Sequence, residues 1–403
     1  MNLPILKQLN VKNKSVLLRI DVNSPIVKSK VLDSPRFQAS AETINYLIKE
    51  QAKLTIIAHQ GRKGDRDFTS LEQHARILSR YTKNKITYID DLFGNKAKKA
   101  IAKLKPGEAI LLRNVRYYED ETNLNLKNNY YKEFCYLFNL YINEAFSVSH
   151  RNQGSITIPP KYLRSAIGLE FQKEILALER FIKQKAKTKI FILGGSKVED
   201  YFPLFKFLKD KQNKLLIAGV LANLFLIAKN YDLGYETQWI KSHNYLPFVQ
   251  KLKKIYEEHK NQIILPVDFG LVTENKKRLD VAIYQAPFKY KIGDLGEITV
   301  KIFKENLNKA DQVFMKGPLG FSEISQFSTS TIEILRQISD LTKNKKIFSI
   351  IGGGHLTTTI KNYKISNNFS HISLSGGALI KYISGEKLPG IEALKKKNNY
   401  REF

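Results

Sequence analysis

The sequence predicts an α/β fold built from two doubly wound, parallel-sheet domains. The first observation behind this prediction is that short runs rich in Val, Ile and Leu recur along the chain, each followed by a helical pattern. Continuous apolar runs that alternate with helices indicate parallel strands buried on both faces. The second observation is the length, because 403 residues exceed the size at which a single hydrophobic core stays efficient.

The predicted strands fall into two sets. In chain order the first set is SVLLRIDV, AKLTIIAH, KITYI, AILLRN and LYINEA, and the second is KIFILGG, KLLIAG, QIILPV, QVFMKG, FSIIGGG and HISLSGG. Between them, residues 163–189 form a long amphipathic pattern, which predicts a helix and a domain boundary. We therefore predict two Rossmann-like domains, residues 1–168 and 169–387, joined by a long helix and a hinge and not by a flexible tether.

The composition excludes several classes of protein. Hydrophobic residues make up 43% of the chain, too large a share for a disordered protein. The longest apolar run, residues 215–228, is shorter than the roughly twenty residues of a membrane-spanning helix, and it predicts a strand that runs into a helix. The first residues lack the pattern of a signal peptide, so we expect a cytoplasmic location. Cys135 is the only cysteine, which excludes an internal disulfide and predicts a small core residue.

The formal net charge of +28 raises the alternative of a nucleic-acid-binding protein. Most of the excess is lysine scattered over polar segments such as KAKKAIAKLK, and no zinc-finger spacing, ribonucleoprotein signature or basic region before heptads is present. We therefore expect no specific nucleic-acid partner. A salt titration separates the two hypotheses, since binding by dispersed lysines weakens steeply with salt and shows no sequence preference.

Cationic side chains follow the predicted strands of the first half. Because the carboxyl ends of parallel strands meet at one edge of a sheet, the residues after each run are candidates for a ligand site. The candidates are Asp21, Val22, Asn23, Arg36, His59, Arg62, Arg116 and Arg151, which lie on four separate loops. Guanidinium groups bind phosphate and carboxylate oxygens in pairs, so we predict a small ligand with more than one anionic group. Solvated surface arginines, and a core imidazole for His59, stay open as alternatives.

Glycines follow the predicted strands of the second half. Glycine between a strand and a helix lets backbone N–H groups approach a phosphate, which the helix dipole also favours. Lys197 could add a point charge for a transferring phosphate, although tight turns and an exposed lysine are the alternatives. The P-loop pattern is absent, and the dinucleotide pattern fails because Thr357 stands at its third glycine position after Gly352 and Gly354. We predict a nucleotide tail as the ligand.

An anion pocket in one domain and a phosphate cradle in the other form the layout of a kinase that closes to react. Closure aligns the two substrates and removes water, which suppresses hydrolysis of the nucleotide. Positioning alone can supply about 7–11 kcal/mol of the barrier.

Motifs along essentially the whole chain, taken in order, resemble those of the phosphoglycerate kinase family. RIDVNSP resembles the family's RVDFNVP, AHQGR its SHLGR, RNVRYYEDE its ENLRFYxxE, NEAFSVSHR its NDAFGTAHR and GGSKVED its GGAKVSD. ANLFL, LPVDFG, GPLGFSE, IIGGGH, HISLSGGA and GEKLPGIEAL match motifs of the family's second domain. One short match is weak evidence, but many in the right order are specific.

The resemblance implies reversible phosphoryl transfer between 1,3-bisphosphoglycerate and ADP, giving 3-phosphoglycerate and ATP, in glycolysis and gluconeogenesis. It implies a phosphoglycerate site formed by Asp21, Val22, Asn23, Arg36, His59, Gln60, Gly61, Arg62, Arg116 and Arg151. It implies a nucleotide site formed by Gly195, Ser196, Lys197, Gly219, Pro318, Glu323, Gly352, Gly353, Gly354, His355 and Leu356, with Glu323 at the ribose. Arg36 and Lys197 would stabilise the transferring group, Mg²⁺ would accompany the nucleotide, and residues 388–403 would return to the first domain.

The chain also departs from the family pattern. Tyr201 replaces the second lysine of GGAKVSDK, Met315 and Lys316 replace Trp-Asn, and His355 replaces the metal-site Asp of GGGD, a variant associated with archaeal members. The protein ligands of Mg²⁺ therefore stay unassigned. The alternative left open is an enzyme of the same architecture that acts on another acid, or a paralogue with little activity. We expect a monomer, because no heptad seam or exposed apolar stripe is evident.

Overall fold

The computed structural model describes residues 3–124 and 129–395. The chain divides into two compact units, of which unit 1 comprises the residues up to Leu176 together with the segment from Gly385 onward. Unit 2 is Ala177–Ser384. The division falls inside one continuous helix, Leu169–Lys183.

The strands of the described residues are, in chain order, β1 Ser15–Arg19, β2 Ile26–Val27, β3 Lys30–Val31, β4 Lys53–Ile57, β5 Ile86–Ile89, β6 Ala109–Leu112, β7 Leu140–Asn143, β8 Arg164–Ile167, β9 Lys189–Leu193, β10 Lys214–Ile217, β11 Ile263–Ile264, β12 Asp268–Val272, β13 Arg278–Ala282, β14 Lys291–Leu295, β15 Gln312–Lys316, β16 Phe348–Gly352 and β17 His371–Ser373. Each apolar run that predicted a strand contains one of them.

The α-helices are α1 Pro35–Lys49, α2 Glu72–Tyr81, α3 Asn95–Lys103, α4 Tyr130–Cys135, α5 Gly154–Thr157, α6 Pro159–Tyr162, α7 Leu169–Lys183, α8 Gly219–Ala228, α9 Tyr235–Ser242, α10 Pro247–His259, α11 Glu297–Leu307, α12 Thr329–Lys343, α13 Gly354–Asn362, α14 Gly377–Ile383 and α15 Pro389–Lys395. A 3₁₀ helix, Glu199–Lys209, follows β9. Among the described residues, no helix combines the length and apolarity needed to cross a membrane.

Unit 1 contains a six-stranded parallel sheet with the order β5-β6-β4-β1-β7-β8. Successive residues of β1 enter different cores: Val16 and Leu18 pack in the cluster that includes α1 and α2, whereas Leu17 packs in the cluster that includes α3 and α4. Both faces of the sheet are therefore covered, as the continuous apolar run predicts. Cys135 is fully buried in the second of these clusters, which confirms the core role predicted for it.

Unit 2 contains a second six-stranded parallel sheet, with the order β11-β10-β9-β15-β16-β17. Residues 215–228 form most of β10 followed by α8, as predicted. A three-stranded antiparallel sheet, β13-β12-β14, was not predicted. Its strands carry Asp268, Arg278, Asp280 and Asp294, so they lack the apolar runs on which the prediction relied.

The predicted helix over residues 163–189 is correct only in its middle. Residues 164–167 form the edge strand β8, which pairs with β7, and Lys189 already begins β9. The four residues RSAI are too few to break the helical spacing of the apolar side chains in the sequence. Their pairing with β7, together with a bridge from Ile167 to Ile5, makes them a strand. The predicted position of Arg36 also needs correction: Arg36 was expected on a loop after β1, but it lies in the first turn of α1.

Candidate functional site

The loops that carry the predicted anion-binding residues follow four neighbouring strands of unit 1. β6, β4, β1 and β7 are adjacent in the sheet, and all run parallel. The residues after their carboxyl ends therefore gather at one edge, as expected for a ligand site in an open parallel sheet. The observed sheet order thus brings together side chains that are distant in sequence.

Asp21 organises the centre of this edge. Its carboxylate accepts hydrogen bonds from Arg36 and Ser147, and it accepts a further bond of 3.0 Å from the backbone N–H of Asn23. Burial acts to raise the pKa of Asp21, but the positive charge of Arg36 and these hydrogen bonds outweigh burial and lower it. Asp21 is therefore ionised at neutral pH and orients Arg36. Ser147 was missed in the sequence because a serine in a loop carries no distinctive signal.

Asn23, Gln60 and Gly61 fix the loops around Asp21. The side-chain oxygen of Asn23 accepts the Gly61 N–H at 2.9 Å, and Gln60 Nε2 donates to the carbonyl of Asp67 at 3.0 Å. Gly61 has φ +63°, and a Cβ there would lie 2.5 Å from the Asp67 carbonyl oxygen, so only glycine fits. Arg116 donates to the carbonyl of Gly61, which ties the β6 loop to the β4 loop.

His59 and Arg19 form a buried pair beneath the edge. Arg19 Nη2 lies 3.1 Å from His59 Nδ1, and Arg19 Nε donates to Ser155 Oγ at 2.9 Å. Burial, followed by the charge of Arg19, holds the pKa of His59 well below its ordinary value, so its imidazole is neutral at neutral pH. Glu121 supplies the negative charge of this layer and accepts the Ser155 N–H at 2.8 Å.

Arg19 and Glu121 are functional candidates that the sequence analysis missed. Both are fully buried charged residues, and such residues are kept only where they are paired. The signal for Arg19 was present, since it is a single cation at the end of the otherwise apolar run SVLLR. Glu121 had only its place in the acidic stretch after Arg116 to mark it.

Arg62, Arg116 and Arg151 line one cleft of about 570 Å³. Burial and the nearby charges of Arg151 and Arg19 lower the pKa of Arg116 to about 10. Burial, followed by the charge of Arg62, also lowers the pKa of Arg151. The guanidinium groups thus repel one another in the free protein, and an anion between them would relieve this repulsion. The cleft is suited to a small ligand with several negative charges.

Val22 differs from its neighbours because its side chain is fully buried. Only its backbone is available to a ligand, and its carbonyl already accepts a hydrogen bond of 3.1 Å from Ser24 Oγ. Leu356, in the first turn of α13, is likewise fully buried. These two positions can therefore contribute to a site by shape and backbone only.

A buried histidine behind the anion edge makes unit 1 sensitive to acid. His74 Nε2 lies 3.0 Å from Gln60 Oε1, and burial lowers the pKa of His74 from 6.5 to about 4. Between these two pKa values His74 is protonated in the unfolded chain but not in the folded chain. The free energy of unfolding therefore falls as the pH drops below 6.5. Between about pH 7 and about pH 5 we expect the wild-type protein to lose about 2 kcal/mol more unfolding free energy than His74→Gln. Urea unfolding at both pH values measures this difference, and identical pH dependence in the two proteins would contradict it.

In unit 2, glycine turns at the ends of neighbouring strands pack against one another. β10, β9, β15 and β16 are adjacent in the sheet. Gly219, the first residue of α8, has φ +60°, and a Cβ there would lie 2.5 Å from the carbonyl oxygen of Gly195. A Cβ on Gly194 would lie 2.1 Å from the carbonyl oxygen of Pro318. These close approaches expose the backbone of the glycine turns at the carboxyl edge of the sheet, where phosphate can approach.

The remaining predicted nucleotide residues lie at or beside this edge. Gly352 ends β16, Gly353 and Gly354 have open space where a Cβ would stand, and α13 begins at Gly354. Ser196 and Lys197 are exposed in the turn after β9. His355 Nδ1 lies 2.6 Å from Glu323 Oε1, and both side chains are largely exposed. The start of α13 thus combines free backbone N–H groups with a polar pair.

The donor set around these turns fits a metal carried by a nucleotide better than a metal held by protein alone. Within residues 3–124 and 129–395, no three His, Cys, Asp or Glu side chains cluster as metal ligands. The pair His355 and Glu323 offers one imidazole and one carboxylate. Mg²⁺ prefers oxygen, and at nucleotide sites it takes most of its ligands from phosphates and water.

Comparison with known proteins identifies the family. The family model described as phosphoglycerate kinase matches residues 6–386. The phosphoglycerate kinase of Archaeoglobus fulgidus is 37% identical, over 98% of this chain and 96% of its own, and that of Methanothermus fervidus is 36% identical, over 94% and 93%.

Solved structures agree with this result. The crystal structure of phosphoglycerate kinase from Pyrococcus horikoshii OT3 has 34% identity and a TM-score of 0.91, covering 97% of this chain and 98% of its own. Phosphoglycerate kinase from Coxiella burnetii has 27% identity and a TM-score of 0.79, covering 98% and 99%. These structures confirm the predicted α/β class with two Rossmann-like domains. The chain belongs to the phosphoglycerate kinase family and is a phosphotransferase.

Proposed function

We propose that the chain performs the family's reaction with its two substrates bound in different units. In this proposal the first domain, residues 1–168 with the segment 388–403, binds 3-phosphoglycerate or 1,3-bisphosphoglycerate. The second domain, residues 169–387, binds ATP or ADP. The observation that carries the proposal is the convergence at one sheet edge of guanidinium groups from the loops after β6, β4 and β7, which line one cleft, with Arg36 of α1 held at the same edge by Asp21.

The acceptor site uses its residues in two ways. Arg62, Arg116 and Arg151 bind the phosphate and carboxylate of the acid, because they line one cleft and lack an equal negative charge. Asp21 and Asn23 hold the loops and Arg36 in place through the hydrogen bonds described above. His59, Gln60 and Gly61 complete the edge, with the neutral His59 able to hydrogen-bond the ligand without adding charge.

The nucleotide site uses the glycine turns of unit 2. Phosphates bind the backbone N–H groups at Gly195, Gly219 and the start of α13, where the helix dipole also favours an anion. Glu323 binds the ribose hydroxyls. The remaining members of this proposed site are Ser196, Lys197, Pro318, Gly352, Gly353, Gly354, His355 and Leu356.

The chemical step needs positioned cations and no general base. A carboxylate oxygen of 3-phosphoglycerate, ionised at neutral pH, attacks the γ-phosphorus of ATP. The new bond joins that oxygen to phosphorus, and the bond to the bridging oxygen breaks, so ADP takes the electron pair and no proton moves. Arg36 and Lys197 stabilise the charge spread over the transferring oxygens.

Mg²⁺ belongs to the proposal as the partner of the nucleotide, where it neutralises phosphate charge. Because Glu323 is placed at the ribose, the ion would take its ligands from phosphate oxygens and water. Because the acceptor in the first domain must meet the nucleotide in the second, the proposal includes a closing movement about the connecting helix α7.

A coupled assay tests the proposed reaction directly. With ATP, Mg²⁺ and 3-phosphoglycerate, we expect acyl phosphate to form at about 1–100 s⁻¹, trapped by a dehydrogenase that consumes NADH. Glycerate, which lacks the phosphate, serves as the matched control and should not support turnover at the same concentration. No turnover with 3-phosphoglycerate at saturation, or faster turnover with another acid, would reject the assignment. A monomeric state, a cytoplasmic location and the lack of a nucleic-acid partner stay predictions.

A further inference from the structure

Lys316 is a buried lysine beside the glycine turns that follow β9 and β16 in unit 2. The reaction proposed above gives it no role. It is the last residue of β15, and its register neighbours are Leu193, before the β9 turn, and Gly352, at the end of β16. Its side chain is only 9% exposed. A lysine is rarely so buried unless its charge serves a partner.

The protein itself compensates this ammonium only in part. Lys316 Nζ lies 3.5 Å from Asp200 Oδ2, a long ion pair with a half-buried carboxylate, and it donates to the carbonyl of Gly376 at 3.2 Å. Burial lowers the pKa of Lys316 to about 8. The negative charge of Asp200 acts to raise this pKa, whereas the positive charge of Lys197 lowers it further. The ammonium groups of Lys316 and Lys197 therefore repel each other at the carboxyl edge of the unit 2 sheet.

Tyr201 fixes this arrangement without adding charge. Its hydroxyl donates to the carbonyl of Gly194 at 2.5 Å and lies 3.2 Å from the carbonyl of Lys316. The ring thereby joins the turns after β9 and β15 and stands within 5.9 Å of Lys316 Nζ. The backbone that carries Lys316 is thus held in one position, as a preorganised ligand site requires.

We propose that Lys316 and Lys197 together bind the phosphates of the nucleotide, with Asp200 holding the Lys316 ammonium until phosphate oxygens replace that carboxylate. This inference rests on the proposed nucleotide site in unit 2. It assigns to Lys316 a direct contact with the substrate, and it makes Asp200 a competitor of the phosphate. An exchange of one anionic partner for another keeps the buried charge paired in both states.

Calorimetric titration of the full chain with ADP, AMP and adenosine tests the inference. For Lys316→Met we expect ADP affinity to fall about 10–100-fold, because a charge-assisted contact is lost, while adenosine affinity stays within twofold. Lys189→Met is the matched control, since Lys189 is similarly buried but lies at the amino end of β9, where it donates to the carbonyl of Phe181 at 2.6 Å. ADP binding to Lys189→Met should match the wild type.

Asp200→Asn gives a second, independent readout that retains the lysine. Removing the competing carboxylate should tighten ADP binding at least about threefold and leave adenosine binding unchanged. Wild-type ADP affinity for Lys316→Met, equal losses for ADP and adenosine, or weaker ADP binding by Asp200→Asn would overturn the inference. A failure of the proposed reaction is distinguishable, because it would appear as no turnover by a wild-type protein that still binds ADP.

Discussion

Replacing Arg36 with alanine is expected to lower kcat by about 10²–10³-fold while the affinity for ADP stays within twofold. Arg36 lies in the first turn of α1, and its guanidinium is held by Asp21 at the edge where the acceptor binds. A cation fixed there before the reaction can stabilise the charge of the transferring group without reorganising. Steady-state kinetics with varied 3-phosphoglycerate, together with ADP titration, measure both quantities.

Arg80→Ala is the matched control for Arg36→Ala. Arg80 also lies on a helix of unit 1 and pairs with an aspartate, Asp33, at 3.2 Å, but this ion pair is exposed. Exposed pairs contribute little, so kcat should not change. Because Arg36→Ala leaves Asp21 buried without this partner, circular dichroism should first confirm that the variant is folded at the assay temperature. Equal losses of kcat and ADP affinity would contradict the role given to Arg36.

The sequence was sufficient to predict the position of the anion-binding residues, because ligands bind at the carboxyl edge of a parallel sheet. Once the apolar runs were recognised as strands, the residues after them had to share one edge, and the order β6-β4-β1-β7 places Arg36, Arg62, Arg116 and Arg151 there. The sequence could not reveal which buried groups support them. Arg19 and Glu121 are joined through Ser155, which follows Arg19 by 136 positions in the chain.

The same limit explains the elements that were missed. β12, β13 and β14 are stabilised by pairing and by Arg278, which contacts Asp280 at 2.9 Å and Asp294 at 3.0 Å, so their pattern is not purely apolar. Local patterns identify strands that are buried on both faces. Strands whose side chains form ion pairs with distant residues need tertiary contacts to be recognised.

Arg151→Met should weaken binding of 3-phosphoglycerate and stabilise the free protein at the same time. Because Arg151 binds the acid in the ground state and the transition state alike, we expect KM for 3-phosphoglycerate to rise about 100-fold with kcat little changed. The pKa of Arg116 is lowered by burial and by the charge of Arg151, so removing Arg151 relieves repulsion in the empty cleft. The unfolding free energy without ligand should therefore rise by up to about 1 kcal/mol.

The two opposite effects separate a binding role from a structural one. If Arg151 had a structural role, its removal would lower the free energy of unfolding. Arg164, which is exposed at the start of β8, is the control, and its removal should change neither KM nor stability. Thermal unfolding with and without 3-phosphoglycerate measures both effects, since the ligand should stabilise wild type and Arg164→Met far more than Arg151→Met. A destabilised Arg151→Met protein with unchanged KM would show that the arginine cluster supports the fold and does not bind the acid.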